Sequence, residues 1–295
     1  MATTTTTTTT TASPTATRID FNQTPLAEVY GNPNNCFAMI IDNVLTPTEC
    51  EELVALAEST GPWIPAAKTL QFRNSLRILR LDAGTAGMVY ERVEPFLGEV
   101  RRPGKELEGM TGRRGGGSGE KGSWELTAFV CSLSFCISFG KLVMADGRWA
   151  RGVNRLNEML RFLKYEEGQH FSPHCDATYN GNGEEKRQKS FLTLHLYLTD
   201  EESLNLEGGS TRFWSPDKTK FMDVEAKRGR VLVFQQRMLW HSGEPVTGGT
   251  KITMRSDMMF KWVPLKPPRP KGEKKRKKEG GKVDEKVELV KETVV

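Results

Sequence analysis

Residues 191–198 read Phe-Leu-Thr-Leu-His-Leu-Tyr-Leu, and strict alternation of this kind leaves little freedom of secondary structure. Successive side chains of a strand point to opposite faces. Leu192, Leu194, Leu196 and Leu198 therefore share one face, and Thr193, His195 and Tyr197 share the other. One face suits a hydrocarbon core and the other offers hydrogen-bonding groups. A strand with both properties fits a barrel or jelly roll whose lumen is functional. Further strand candidates, Arg161 to Tyr165, Arg230 to Phe234 and Lys251 to Trp262, are separated by Gly, Asn and Asp clusters.

The region before them is different. Phe37 to Ile41 reads as a strand, and folded sequence is expected to begin there. Thr46-Pro47-Thr48-Glu49 then opens a helix, with Thr46 as N-cap, Pro47 in the first turn and Glu49 completing a capping box. Gly61-Pro62 ends it, and a second helix is expected at about 84–97.

Charge separates the chain into a body and two appendages. The 295 residues carry 42 Lys or Arg against 37 Asp or Glu, a net charge of +5. Residues 265–295 hold 11 of those bases and 6 of the acids, which is the whole excess. The tail is expected to be a solvated, disordered segment, with Lys274 to Lys278 (KKRKK) resembling a nuclear-import signal. A neutral body argues against nucleic acid as the main ligand. Residues 1–30 are expected to be a disordered, Thr-rich leader without the long apolar stretch of a signal peptide. Cys36, Cys50, Cys131, Cys136 and Cys175 form no C-x-x-C pair and read as free thiols of a reducing compartment.

Between about 100 and 145 the composition changes abruptly. A basic Gly-rich run, Arg113-Arg114-Gly115-Gly116-Gly117, precedes fifteen uncharged residues from Leu126 to Gly140. That run is short of the roughly 20 apolar residues a membrane span needs. The stretch is expected to be an insertion foreign to the core, and a membrane anchor is the weaker alternative. The expected domain is therefore 31–264, interrupted at about 100–145.

The chemistry gathers around four histidines, His170, His174, His195 and His241. His174-Cys175-Asp176 is an H-x-D motif whose first and third residues share a face at a strand end. His241 follows 67 residues later, just before the Lys251 strand. Two imidazoles and one carboxylate on one face of an octahedron leave three positions open, as in non-haem Fe(II) oxygenases. H-x-D alone is a weak signal. Its company strengthens it: Lys251 lies ten residues beyond His241, and Arg255 has the same strand parity. A cation there can pair with a dicarboxylate.

From Leu160 to about Trp262 the sequence resembles the Fe(II)/2-oxoglutarate-dependent dioxygenases, in particular the prolyl 4-hydroxylase-like branch. The resemblance rests on RFLKYEEGQHFSPHCD, SFLTLHLYL, GGSTRF and GRVLVFQQRMLWHSGEPVTGGTKITMRSD. It implies a mainly β fold, a double-stranded β-helix (jelly-roll) core with N-terminal helices. It also implies His174, Asp176 and His241 as iron ligands and Lys251 as the partner of the distal carboxylate of 2-oxoglutarate. Tyr197 and Tyr165 fall where the family has tyrosines near that cosubstrate. Arg255 is left open between cosubstrate contact, substrate contact and pairing with Asp257. Thr193 is open between a lumen role and an ordinary strand position, and His170 and His195 are expected to be structural or supporting. The implied reaction consumes 2-oxoglutarate and O2, releases succinate and CO2 and hydroxylates a C–H bond, with ascorbate as a reductant.

The substrate expected first is a prolyl residue of a protein or peptide. A small-molecule hydroxylase on the same fold is the alternative, and a non-catalytic binding module is a rival of another class. A cytoplasmic or nuclear location is expected, with the endoplasmic reticulum as the alternative.

Overall fold

The computed structural model describes residues 12–32, 34, 36–97, 141–143, 149–151, 155–181 and 188–261. Ten strands and two helices position the site. β1 (Ala38–Asp42) leads into α1 (Pro47–Glu58), β2 (Leu76–Leu81) and α2 (Ala83–Leu97). Then come β3 (Met159–Tyr165), β4 (Phe171–His174), β5 (Gln188–Tyr197), β6 (Thr211–Trp214) and β7 (Phe221–Val224). β8 (Val231–Gln235), β9 (Trp240–Gly243) and β10 (Lys251–Lys261) complete the set.

The larger sheet runs Thr15–Arg18, β1, β8, β5, β10, β3, β2, Ile64–Pro65, and the smaller runs β7, β6, β9, β4. Pairing within both is antiparallel. From β3 onward the chain alternates between the sheets, with β6 and β7 as a hairpin in the smaller one. That alternation is the double-stranded β-helix the resemblance implied.

The two faces of β5 separate as their chemistry requires. Leu192, Leu194, Leu196 and Leu198 join one buried cluster with Leu53 and Ala57 of α1 and Val89 and Val93 of α2. Leu194 and Leu196 have no exposed surface, and burying each contributes about 1.5–3 kcal/mol. The helices thus cover the outer face of the larger sheet. Tyr197, on the opposite face, packs with Phe213, Leu232 and Phe234 between the sheets.

Helix α1 begins as its sequence dictates. Thr46 Oγ1 accepts from the Glu49 amide at 3.2 Å, and the Thr46 amide donates to Glu49 Oε2 at 2.8 Å. The same carboxylate receives Arg92 Nη1 from α2 at 2.8 Å. Glu49 therefore caps one helix and ties it to the other. The Arg92 hydrogen bond leads the effects that lower its pKa to about 2.

From Thr15 to Tyr30 the expectation of a disordered leader is corrected. Thr15–Arg18 is a strand paired with β1, Thr15 opposite Asp42 and Arg18 opposite Met39. Ile19, Phe21, Leu26 and Tyr30 are buried beyond it. The physical reason is that the free edge of β1 supplies hydrogen-bonding partners to any extended segment. Phe21, Leu26 and Tyr30 then supply the apolar surface that a Thr-rich composition conceals. Of the proposed insertion only Lys141–Val143 lies among the described residues, as a strand paired with Trp149–Arg151. Leu126 to Gly140 and the basic tail lie outside them. No helix among the described residues is long and apolar enough to cross a membrane.

Candidate active site

His174 is the last residue of β4, Asp176 lies just beyond the strand, and His241 sits on β9 opposite His174. Pairing of β9 with β4 thus closes the 67-residue gap in sequence. The ligand-type atoms of the three residues lie within 4.8 Å of one another. His174 Nδ1 is 2.8 Å from the Ser172 carbonyl oxygen and His241 Nδ1 is 3.1 Å from that of Leu239. A carbonyl oxygen can only accept, so each Nδ1 carries the proton and each Nε2 presents a lone pair. Both Nε2 atoms lie 3.7 Å from an Asp176 oxygen. Phe171 stacks on the His174 ring at 3.7 Å, and Phe234 meets the His241 ring edge-on at 4.6 Å. These contacts fix both imidazole planes.

Asp176 is held on its other sides by Thr193, whose Oγ1 donates to Oδ2 at 2.6 Å, and by Arg255 Nη2, 3.1 Å from Oδ1. Burial opposes its ionisation. The Arg255 charge, followed by His241 and the contact with His174, outweighs that and holds the carboxyl well below its usual range. Burial pushes His241 down to about 4, so its imidazole is neutral at neutral pH. A permanent carboxylate and two oriented lone pairs are what a divalent transition metal requires. The residues present fit Fe(II).

Lys251, the first residue of β10, is only 2% exposed. It makes no ion pair among the described residues, and its Nζ lies 5.4 Å from the Tyr165 ring centroid and 5.7 Å from that of Tyr197. Burial lowers its pKa to about 8. Tyr165 stands opposite it on β3. The Tyr197 hydroxyl donates to Thr211 Oγ1 at 2.7 Å. Tyr197 is fully buried and supports Lys251 from behind, whereas Tyr165 lines the cavity. Gly209 allows the close approach. It has φ of +65°, and a Cβ there would stand 3.2 Å from Lys251 Cδ.

Arg255 resolves differently from Lys251. It pairs with Asp257 at 3.3 Å, one of the open alternatives, and also with Asp176. Asp257 in turn accepts from Arg161 Nη1 and Gln236 Nε2, each at 2.9 Å. Arg255 is thus a bridge between two buried carboxylates, and Lys251 is the cation left without one.

One cavity of about 440 Å³ is lined by the His174, Asp176 and His241 triad, Lys251, Tyr165, Arg255 and His195, with Phe72, Arg73 and Tyr179 also in its wall. His170 is not part of it. Its ring Nε2 is 3.3 Å from the Gln71 carbonyl oxygen and its amide donates to Asn74. The sequence reading missed Thr211, Arg161 and Arg73. Thr211 falls in the quoted GGSTRF and Arg161 in RFLKY, so the signal was present, but only strand register shows what each side chain meets.

The sequence model of the 2OG-Fe(II) oxygenase superfamily matches residues 160–257. No curated protein matches the chain significantly. Among solved structures, the chain is similar to the viral collagen prolyl hydroxylase of Paramecium bursaria Chlorella virus-1, with 17% identity over 78% of this chain and 99% of that one, TM-score 0.43. It is also similar to a Pseudomonas putida prolyl-4-hydroxylase, with 15% identity, 79% and 98% coverage and TM-score 0.44. A third is a Trichoplax adhaerens prolyl hydroxylase in complex with a hypoxia inducible factor oxygen degradation domain peptide fragment, with 14% identity, 77% and 84% coverage and TM-score 0.42. The matched segment, 160–257, carries the triad and Lys251 within the double-stranded β-helix, and it is this part of the chain that is similar to the 2OG-Fe(II) oxygenase superfamily.

Proposed function

We propose that His174, Asp176 and His241 hold Fe(II), that Lys251 binds the distal carboxylate of 2-oxoglutarate, and that the protein hydroxylates a prolyl residue of a protein or peptide. The observation that carries the reading is the shared cavity: three metal-type donors and one buried, unpaired lysine face the same space. Bound iron would supply the activation of O2 coupled to decarboxylation of the cosubstrate. The protein's own residues do the rest. The two Nδ1 bonds orient the imidazoles, Thr193 and Arg255 fix the carboxylate, and Tyr165 and Tyr197 wall Lys251 from water. Ascorbate serves as the reductant that maintains Fe(II).

The prolyl choice is supported by the family resemblance and by the cavity wall. Phe72 and Phe171 meet edge-on at 5.3 Å, and Tyr179 adds a third aromatic group. Flat apolar walls suit a pyrrolidine ring, and an extended X-Pro segment is already restricted before it binds. One observation favours a second reading. Arg73, whose guanidinium lies 4.3 Å over the Phe171 ring, has a buried Nη2 without a hydrogen-bond partner among the described residues. It could hold the carboxylate of a free amino acid or other small acid.

The test is incubation of purified protein with Fe(II), 2-oxoglutarate and ascorbate, with proline-rich peptides in one arm and free amino acids in the other. Mass spectrometry would read a gain of one oxygen that requires 2-oxoglutarate. Turnover of free acids with none on any peptide would replace the first reading by the second. Asp176→Ala should abolish succinate formation; unchanged turnover would remove Asp176 from the ligand set.

A further inference from the structure

His195 is a polar residue in a position that the fold does not require to be polar. It lies on β5 between Leu194 and Leu196, opposite Arg255 of β10 and Leu232 of β8. Its ring is 4.9 Å from that of Tyr197 and lines the same cavity as Lys251 and the triad. Its Nε2 is buried with no hydrogen-bond partner among the described residues. Buried polar atoms are nearly always paired, so an orphan in a cavity wall calls for an explanation. Leucine would fill this lumen-facing position without leaving a polar atom unsatisfied.

The surroundings define the missing partner. Burial, and then the charges of Lys251 and Arg255, hold the His195 pKa well below the usual histidine range. The ring is therefore neutral, with one N–H to give and one lone pair. A further cation is disfavoured by the Lys251 and Arg255 charges already beside it. An anion is welcome to Lys251, the cation without a carboxylate partner among the described residues, and a carboxylate is a pure acceptor that can take the imidazole N–H. We infer that His195 is a cosubstrate-binding residue, donating a hydrogen bond to the same distal carboxylate of 2-oxoglutarate that Lys251 pairs with. The inference rests on the cosubstrate assignment made under Proposed function. It adds a neutral donor to the cationic one, and so a directional restraint that a lysine on a flexible stem does not provide.

The experiment uses full-length protein loaded with Mn(II) and isothermal titration with two ligands. 2-Oxoglutarate carries the distal carboxylate, and 2-oxobutyrate keeps the chelating 2-oxo acid but lacks it. His195→Leu is expected to weaken 2-oxoglutarate binding roughly tenfold and to leave 2-oxobutyrate and Mn(II) affinity unchanged. His195→Gln, which keeps a donor, should recover part of the loss. Equal loss for both ligands would mean a distorted pocket and would overturn the assignment, as would unchanged 2-oxoglutarate affinity. A second measurement avoids mutation: the His195 ring N–H resonance of the wild type should shift on adding 2-oxoglutarate but not 2-oxobutyrate, and the same response to both would count against the bond. Wild-type protein that fails to bind 2-oxoglutarate at all would remove the cosubstrate assignment itself. Wild-type binding with an indifferent His195→Leu removes only this inference.

Discussion

Replacing Lys251 by methionine should make the protein more stable and unable to use 2-oxoglutarate. The lysine is 2% exposed and makes no ion pair among the described residues, and burial lowers its pKa from the ordinary 10.5 to about 8. At pH 7 the ammonium is charged in both the folded and the unfolded chain, and only the folded one bears the desolvation cost. A fall of that size corresponds to about 3 kcal/mol. Lys251→Met relieves it and keeps most of the apolar stem. The variant also loses the attraction of the cation to the Tyr165 and Tyr197 rings, about 0.5–1 kcal/mol each. The net expectation is a gain of about 1–2 kcal/mol, a rise in Tm of roughly 2–8 °C for a domain of this size. The pH dependence has a definite sign. Between about 8 and 10.5 the unfolded lysine holds its proton and the folded one has lost it, so wild-type stability rises with pH there. The advantage of Lys251→Met should therefore be full below pH 8 and shrink through that window. Binding should move the other way. A buried carboxylate deprived of its charged partner costs about 3–5 kcal/mol, so 2-oxoglutarate affinity should fall at least a hundredfold. Calorimetric melting and isothermal titration on the same two proteins provide both readouts. A lower Tm at pH 7, or a cosubstrate Kd within threefold of wild type, would refute the reasoning.

Arg255→Met should weaken metal binding more than cosubstrate binding, because Arg255 pairs with Asp176 and Asp257; competitive titration with a metal indicator ranks the two effects. Thr193→Val removes the 2.6 Å bond to Asp176 without changing shape; metal affinity is expected to fall about 10–100-fold and stability by about 1.5–3 kcal/mol, and unaltered metal affinity would show the bond to be dispensable. Cosubstrate affinity should stay level to pH 8 and then decline by up to tenfold per pH unit, with proton uptake visible in buffers of different ionisation enthalpy, because the bound carboxylate raises a Lys251 pKa that starts near 8. Leu194→Ala, at a site with no exposed surface between β5 and the helices, should cost about 2–5 kcal/mol in denaturant unfolding; a loss below 1 kcal/mol would mean the leucine face is not the core it is taken to be.

Local pattern carried much of this protein. The alternation in residues 191–198 assigned both faces of β5, since a period of two admits no other arrangement once a strand forms. Thr46, Pro47 and Glu49 marked the start of α1 to the residue, because capping is a contact between neighbours in sequence. The order of H-x-D, distal histidine and lysine pointed to the chemistry, because those residue types are scarce enough for their spacing to be informative. The tertiary structure decided what depends on partners distant in sequence. Strand Thr15–Arg18 exists because β1 offers a free edge, and nothing in its composition announces that. Lys251 and Arg255 share parity on one strand and look equivalent there. Pairing with Asp176 and Asp257 neutralises Arg255, while burial between two tyrosines leaves Lys251 charged and unpaired. Sequence determines which groups can ionise, donate or accept; which of them remain unsatisfied is settled only when the sheets close around them.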